Sequence, residues 1–270
     1  MSPSGRILYQ FPISHFSEKS RWNLDAKGIP YRVHNLVPGL HLLVTKRLTK
    51  GVSGTVPILV DEDQVIHDST DIALYLERAY PATPALIPVT EAERERVLEL
   101  EEYFDATVGR NVRRWVYAQL FAGNVDIRPL MFGALSPPMR LLGHAMYPLI
   151  KRTIQRQYIQ TPAKVEASRV KLMEGIERLE REIQGDPSRY LVGSSLSIAD
   201  ITAAALYAPM MAPEGSVYAL PPGQAVSQAF AEMRAQLLAR PAGQWFVRRY
   251  QEDRRRLAHG FTTGTETENG

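Results

Sequence analysis

The sequence contains no cysteine. Disulfides, thiolate metal sites and any chemistry run by a protein thiol are therefore excluded. No stretch approaches the run of about 20 apolar residues that a membrane span requires. The start, MSPSGRILYQF, has no apolar core of the secretory kind, so the expected location is the cytoplasm and no membrane partner is expected. Phosphate-cradling GxxxxGKS/T, the GxSxG elbow and HExxH are all missing, and the six histidines are too scattered to suggest a metal centre. Excess charge is small as well: a net +3 with pI near 9.1, without a basic stripe, gives no argument for nucleic acid. What remains is a chain of 270 residues, 44% hydrophobic and 23% charged, long enough for one large or two modest domains.

The most informative stretch is GTVPILVDEDQVIHDSTDIALYL, residues 54–76. Pro57 cannot donate to a sheet ladder and marks where a short strand begins to pair. The acidic turn at residues 61–63 leads into a second short strand through Val65 and Ile66, as in a hairpin. Asp68 or Ser69 can then accept hydrogen bonds from the free amides of a new helix, whose packing face is Ile72, Leu74, Tyr75 and Leu76. A helix start with free donors beside an unpaired, proline-bent strand edge suits the amino-acid end of a peptide: amides attract the carboxylate and the aspartate takes the ammonium.

Upstream, Ile7, Leu8 and Tyr9 form a strand, Ser14 opens a helix that Gly28 stops, and residues 31–37 alternate as a second strand. So short a strand, helix and strand form a βαβ unit with parallel pairing. With a modest helix within residues 38–53 and the later hairpin, the order is thioredoxin-like. Ser14 sits where amide donors and the helix dipole favour a nearby thiolate, and it is the first choice for a chemical role; the alternative is an N-cap and nothing more. Tyr9 and Ser17 are the other hydroxyls close enough to compete. His15 has no carboxylate at a spacing that would orient it as a base, and a position on the surface or at the edge of a bound ligand is expected. Lys46 and Lys50 could neutralise a carboxylate or remain solvated.

Prolines at 81 and 84 mark a linker over residues 81–89, after a first domain of residues 1–80. Thr90 and Glu93 read as a capping box opening a helix from Glu91 to about Leu120, and a helical domain is expected over residues 90–260. Arg110, Arg113 and Arg114 share that helix, with Tyr117 one turn on; a solvated face is expected, a cleft-facing anion site being the alternative. Residues 121–161 are rich in Pro, Gly and Met, which predicts short helices and loops forming either a hydrophobic pocket wall or a dimer cover. Residues 162–183 are strongly amphipathic. Ser197 and Asp200 cap a nearly all-apolar helix, which makes Asp200 a folding residue. Two closing helices follow, and residues 261–270 read as a disordered tail.

Two of these motifs, VPIL with an acid-Ser pair before a helix ending in YLE, and YLVG followed by SIADI, resemble the cytosolic glutathione transferases, here of serine type and bacterial in look. The resemblance runs from Ile7 to about Leu257. It implies the two-domain fold of that family: an α/β thioredoxin-like N-terminal domain followed by an all-α domain. It implies a cis proline at Pro57, backbone pairing of Val56 with the cysteinyl part of glutathione, and Asp68 and Ser69 holding the γ-glutamyl end. Ser14, seven residues before Arg21, takes the place of the active hydroxyl, and the absence of cysteine removes the cysteine-dependent reductases. Thr55 stands where the family usually has Lys or Gln, and Asp68 where Glu is more frequent. The implied activity is conjugation of the glutathione thiolate, glutathione being the co-substrate, to a hydrophobic electrophile by a homodimer. A non-catalytic binding or assembly module, or a glutathione-dependent isomerase or dehalogenase, are the alternatives on the same fold.

Overall fold

The structure, a computed structural model, describes residues 5–219 and 224–254. The tail expected over residues 261–270 lies outside the described residues. β1 (Arg6–Gln10), α1 (His15–Ala26) and β2 (Arg32–Asn35) form the βαβ unit, with β1 and β2 parallel and Tyr9 opposite His34. α2 (His41–Leu48) leads to a hairpin of β3 (Ile58–Asp61) and β4 (Gln64–His67), in which β3 runs antiparallel to β1 and to β4. The strand order is β2-β1-β3-β4, and α3 (Ser69–Ala79) closes the unit. Leu8 and Leu59 from the sheet meet Leu24, Ile72 and Leu76 from the helices in one buried cluster. The Val56-Pro57 peptide is cis.

The rest is helical. α4 (Glu91–Phe104) continues through a π turn (Asp105–Gly109) into α5 (Arg110–Ala122), so the long helix expected here is present but widened at its middle. Its start differs from the expected capping box. Thr90 Oγ1 donates to Glu93 Oε2 at 2.6 Å, and no side chain caps the helix amides. α6 (Arg128–Phe132) is short, as expected, but α7 (Pro137–Thr153) is a helix of 17 residues that runs into a second π turn (Ile154–Ile159). Pro137 and Pro138 fall in its first turn, where amide hydrogens have no intrahelical partner, and Pro148 is absorbed inside it; the prolines shape this helix and do not break it up. α8 (Pro162–Glu182), α9 (Ile198–Met211), α10 (Gln228–Leu238) and α11 (Pro241–Arg248) follow, with a last π segment over Arg249–Arg254.

α9 is the axis of this layer and is buried along nearly its whole length. Its N-terminus is the expected capping box: Ser197 Oγ accepts from the Asp200 amide, while Asp200 accepts from the Ser197 amide at 2.9 Å and the Leu191 amide at 2.8 Å. Burial pushes the Asp200 carboxyl up to about 6 despite these donors.

α1 joins the two layers. Lys19, with no exposed surface, donates to Thr70 of α3 at 2.8 Å, to Asp105 of the π turn at 2.7 Å, and to Glu101 of α4. Glu18 is clamped by Arg21 at 2.6 Å and by Arg254 at 2.8 Å, which hold its carboxyl down at about 2 against the opposing cost of burial. His15 is buried rather than on the surface, its Nε2 2.8 Å from the Gly109 carbonyl. Gly109 permits that approach, since a Cβ there would lie 2.4 Å from the Phe16 ring. Burial, with Arg113 nearby, lowers the His15 pKa to about 3. The ring is therefore neutral near pH 7, and because a carbonyl only accepts, Nε2 carries the proton.

Two outcomes follow from these buried groups. Asp200→Ala leaves the Ser197 and Leu191 amides without an acceptor inside the protein, and urea unfolding should show a loss of about 2–4 kcal/mol. His15 is neutral when folded but takes up a proton below about 6.5 when unfolded, so its share of stability is complete above that pH and lost as pH falls towards about 3. Asp200 opposes this between about 4 and 6, because the folded state then binds the extra proton. The His15 contribution is isolated by difference: between pH 6.5 and 3, His15→Asn should flatten the fall in unfolding free energy by up to about 1.4 kcal/mol per pH unit relative to the parent.

Candidate functional site

A cavity of about 580 Å³ lies between the N-terminus of α1, the loop before β3, α5, α7 with the π turn that follows it, and the loop after α9. That is the size of a site for a small organic ligand. Ser14 opens onto it from the mouth of α1. Its Oγ accepts the Ser17 amide at 3.3 Å, as an N-cap does, which uses a lone pair and leaves the hydroxyl proton free to donate. The same wall carries Thr55 and Val56. Among the described residues no backbone hydrogen bond engages Val56: β3 begins pairing only at Ile58, so the groups before the cis proline are open to an extended ligand backbone.

The remaining hydroxyls and site candidates lie elsewhere. Tyr9 is half-buried on β1, its ring 5.0 Å from that of His34, and does not line the cavity. Ser17 is fully buried and also outside the lining, with no partner for its hydroxyl. Asp68 and Ser69 stand at the start of α3, beyond the cavity lining. Asp68 caps the helix by accepting the Thr70 amide at 2.8 Å and holds φ 77 and ψ 139, a region that favours glycine, while Ser69 is buried. Lys46 is exposed on α2 and does not reach the lining. The structure thus brings Ser14, Thr55 and Val56 to one cavity, with Pro57 adjoining, and leaves Tyr9, Ser17, Lys46, Asp68 and Ser69 outside it.

Four further residues line the cavity: His41 and Tyr218, for which the sequence forecasts no role, and Arg113 and Tyr117, for which a cleft-facing position is the alternative reading. His41, at the start of α2, accepts the Gly39 amide at 2.9 Å and bonds the Gly54 backbone, bracing both ends of the loop beneath the cavity. Arg113, expected on a solvated face, instead turns into the cavity with its guanidinium 4.1 Å above the Tyr158 ring. Arg114, beside it, is spent on Tyr158 O and Ser168, whereas Arg110 is exposed. Tyr117 stacks near Tyr158, and burial pushes its hydroxyl up to about 12. Tyr218 comes from the loop after α9, and its hydroxyl, raised by burial and by Glu18, has no protein partner. Arg113 and Tyr117 are spaced one helical turn apart, the only signal of theirs in the sequence. His15 shows in the lining too, but as a neutral ring whose free Nδ1 is too weak a base near pH 7 to take a proton from a thiol. Among the described residues no group of three or more metal-ligating side chains converges, and no helix is long and apolar enough to cross a membrane.

Comparison with known proteins bears on the fold that carries this cavity. Residues 8–84 match the family described as "Glutathione S-transferase, N-terminal domain". Over 81 residues the chain is 38% identical to glutathione S-transferase 1 of Dianthus caryophyllus; the match spans 29% of this chain and 36% of that protein, about a third of its length. Among solved structures, the beta-etherase LigF from Sphingobium sp. strain SYK-6 superposes with a TM-score of 0.62 at 17% identity, covering 95% of this chain and all of that one. A glutathione S-transferase from Rhodospirillum rubrum F11 gives 0.60 at 22% identity over 97% of this chain and 94% of its own. Residues 8–84 thus match the N-terminal domain of the glutathione S-transferases, and with its mixed four-stranded sheet and the helical layer that follows the chain has the glutathione transferase fold.

Proposed function

We propose that the protein is a serine-type glutathione transferase in which Ser14 stabilises the thiolate of bound glutathione. The observation that carries this reading is the position of Ser14: of the three hydroxyls in contention it alone lines the cavity, at a helix N-terminus, with its proton unspent. A free thiol titrates near 8.5, and each unit of depression requires about 1.4 kcal/mol, within reach of one charge-assisted hydrogen bond and a helix terminus together. In the reaction the thiol proton leaves to solvent, the sulfur lone pair forms a bond to the electrophilic carbon, and the leaving group departs with its electrons. Val56 pairs with the cysteinyl backbone beside Pro57. Asp68 and Ser69 at the start of α3 take the γ-glutamyl end, and Thr55 and Lys46 flank the glycyl end. The acceptor lies against Met146, Ile150 and Val116, an apolar wall that suits a hydrophobic electrophile. Assembly as a homodimer in the cytoplasm belongs to the same proposal. Cleavage of an ether would need only a different leaving group on the same carbon, so an aryl ether belongs in the substrate panel beside an aryl halide.

Two variants test the parts separately. In Ser14→Ala the titration of the bound thiol, followed by thiolate absorbance, should rise by about 1–2 units, and turnover at pH 6.5 should fall about tenfold or more, while glutathione affinity holds; Ser14→Thr, which keeps a hydroxyl and a cap, should recover most of it. Unchanged kinetics in Ser14→Ala would move the role to Tyr9. In Asp68→Asn, calorimetry should show glutathione bound about tenfold more weakly, with the titration of the bound thiol where it was.

A further inference from the structure

The charge of the cavity is one-sided. Among the described residues no aspartate or glutamate lines it, and its one permanently charged side chain is Arg113. The two histidines of the lining add no positive charge near pH 7: His15 is held neutral by burial, and His41 is lowered in the same direction. Among the described residues Arg113 forms no hydrogen bond and no ion pair. Its guanidinium rests on the Tyr158 ring at 4.1 Å, and its Nε is buried with no acceptor in the protein. Arg114, the other arginine of α5 that leaves solvent, has partners in Tyr158 O at 2.8 Å and Ser168 at 3.0 Å. A buried N–H without an acceptor is destabilising, and a planar guanidinium stacked on an aromatic ring presents its donor edge in one fixed direction. The other polar side chains of the lining, Thr153, Gln157 and the tyrosines among them, are uncharged near pH 7. The Tyr117 and Tyr218 hydroxyls are both held in the protonated form, and the Tyr218 hydroxyl has no protein partner. Around this corner the wall is apolar, with Val116, Ile150 and Ile154.

Donors that lack acceptors, a fixed positive charge and no acid to repel an anion, set into apolar surroundings, describe a site for the anionic group of an otherwise hydrophobic molecule. We propose that the acceptor substrate carries a carboxylate on an apolar, aromatic skeleton, and that Arg113 binds that carboxylate from the helical wall while glutathione is held from the sheet side. This rests on the reading of the cavity as the acceptor site of a transferase, and it makes Arg113 a specificity-determining residue, with no part in activating sulfur.

The test compares two aryl halides of like reactivity, 4-chloro-3,5-dinitrobenzoate and neutral 1-chloro-2,4-dinitrobenzene, on the full chain and on Arg113→Met, Arg113→Gln and Arg113→Lys. The ratio of kcat/KM for the acid over the neutral halide should fall about tenfold to a hundredfold in the Met and Gln variants, through the KM for the acid, and Arg113→Lys should restore part of it. A second arm needs no turnover: calorimetry of 3,5-dinitrobenzoate against 1,3-dinitrobenzene should show the parent preferring the acid by about tenfold or more, and the preference lost in Arg113→Met. Absence of conjugation with intact acid preference would remove the transferase reading and keep the anion site. Equal loss of both halides, a parent without preference for the acid, or glutathione binding that weakens in step with the acid would overturn the proposal, the last by assigning Arg113 to glutathione.

Discussion

The buried ammonium of Lys19 is the contact on which the arrangement depends. An ammonium without solvent is costly unless its charge is matched and its donors are used, and Lys19 meets both conditions with Thr70, Glu101 and Asp105. Glu101 is drawn in turn by the hydroxyls of Thr70 at 2.9 Å and Thr202 at 3.3 Å. One cation thereby ties α1 and α3 of the sheet unit to α4, the π turn and α9 of the helical layer. Such a node is directional in a way that apolar packing is not: shifting α1 by a fraction of a turn would leave the buried Glu101 carboxylate without its cation and the half-buried Asp105 unpaired. Ser14 and His15 sit one turn upstream of Lys19 on the same helix. The position of the candidate catalytic hydroxyl relative to the opposite wall is therefore set by an ion cluster one turn away.

The same helix adds to the positive character of the cavity. Its N-terminus presents unsatisfied amides and the positive end of the dipole, which assist a thiolate near Ser14. His15, which could have supplied a titrating charge beside it, is removed from that role by burial and by its bond to Gly109. With Arg113 across the cavity, both polar features facing the ligands are positive or donating. A neutral His15 also keeps the field independent of pH through the physiological range, so thiolate formation would be governed by the sulfur itself.

Much of this was legible in the residues, and the failures share a cause. The βαβ unit, the hairpin, the Asp200 cap and the position of Ser14 follow from local signals, periodicity, turn chemistry and capping spacing, whereas the cis proline was implied by the family resemblance alone. Arg113 was misassigned because those signals assume 3.6 residues per turn. A π turn carries one extra residue, which rotates everything after it by about 100°. The turn at Asp105–Gly109 has nothing to mark it beyond Gly109, yet it swings Arg113 and Tyr117 towards the cavity. The turn at Ile154–Ile159 likewise places Tyr158 under that guanidinium. Pro148 misled for the related reason that a proline disturbs a helix without always ending it. His41 could have been flagged by its place between Gly39 and Gly54, but its two backbone bonds exist only once the loop has closed.

These irregular turns also divide the labour of the site. Groups proposed to hold glutathione sit on the sheet unit and the mouth of α1, whereas Arg113, Tyr117 and Tyr158 sit on the helical layer, on or just after π turns. Since the two layers are locked through Lys19 and Arg254, and at the cavity edge through His15 and Gly109, other residues of the helical wall, Arg113 and Tyr158 among them, can change without disturbing the hydroxyl or the open edge before Pro57. Selection of the acceptor and activation of the thiol are then separable physical problems: the first is solved by the charge and shape of a wall, the second by one hydroxyl at a helix end. A wall that keeps the Arg113 Nε–H buried without a protein acceptor carries a standing cost of about 1–3 kcal/mol when empty. Such a cost is offset only by a ligand that supplies the missing acceptor, which ties the unpaired donor on the wall to the chemistry of what fills the cavity.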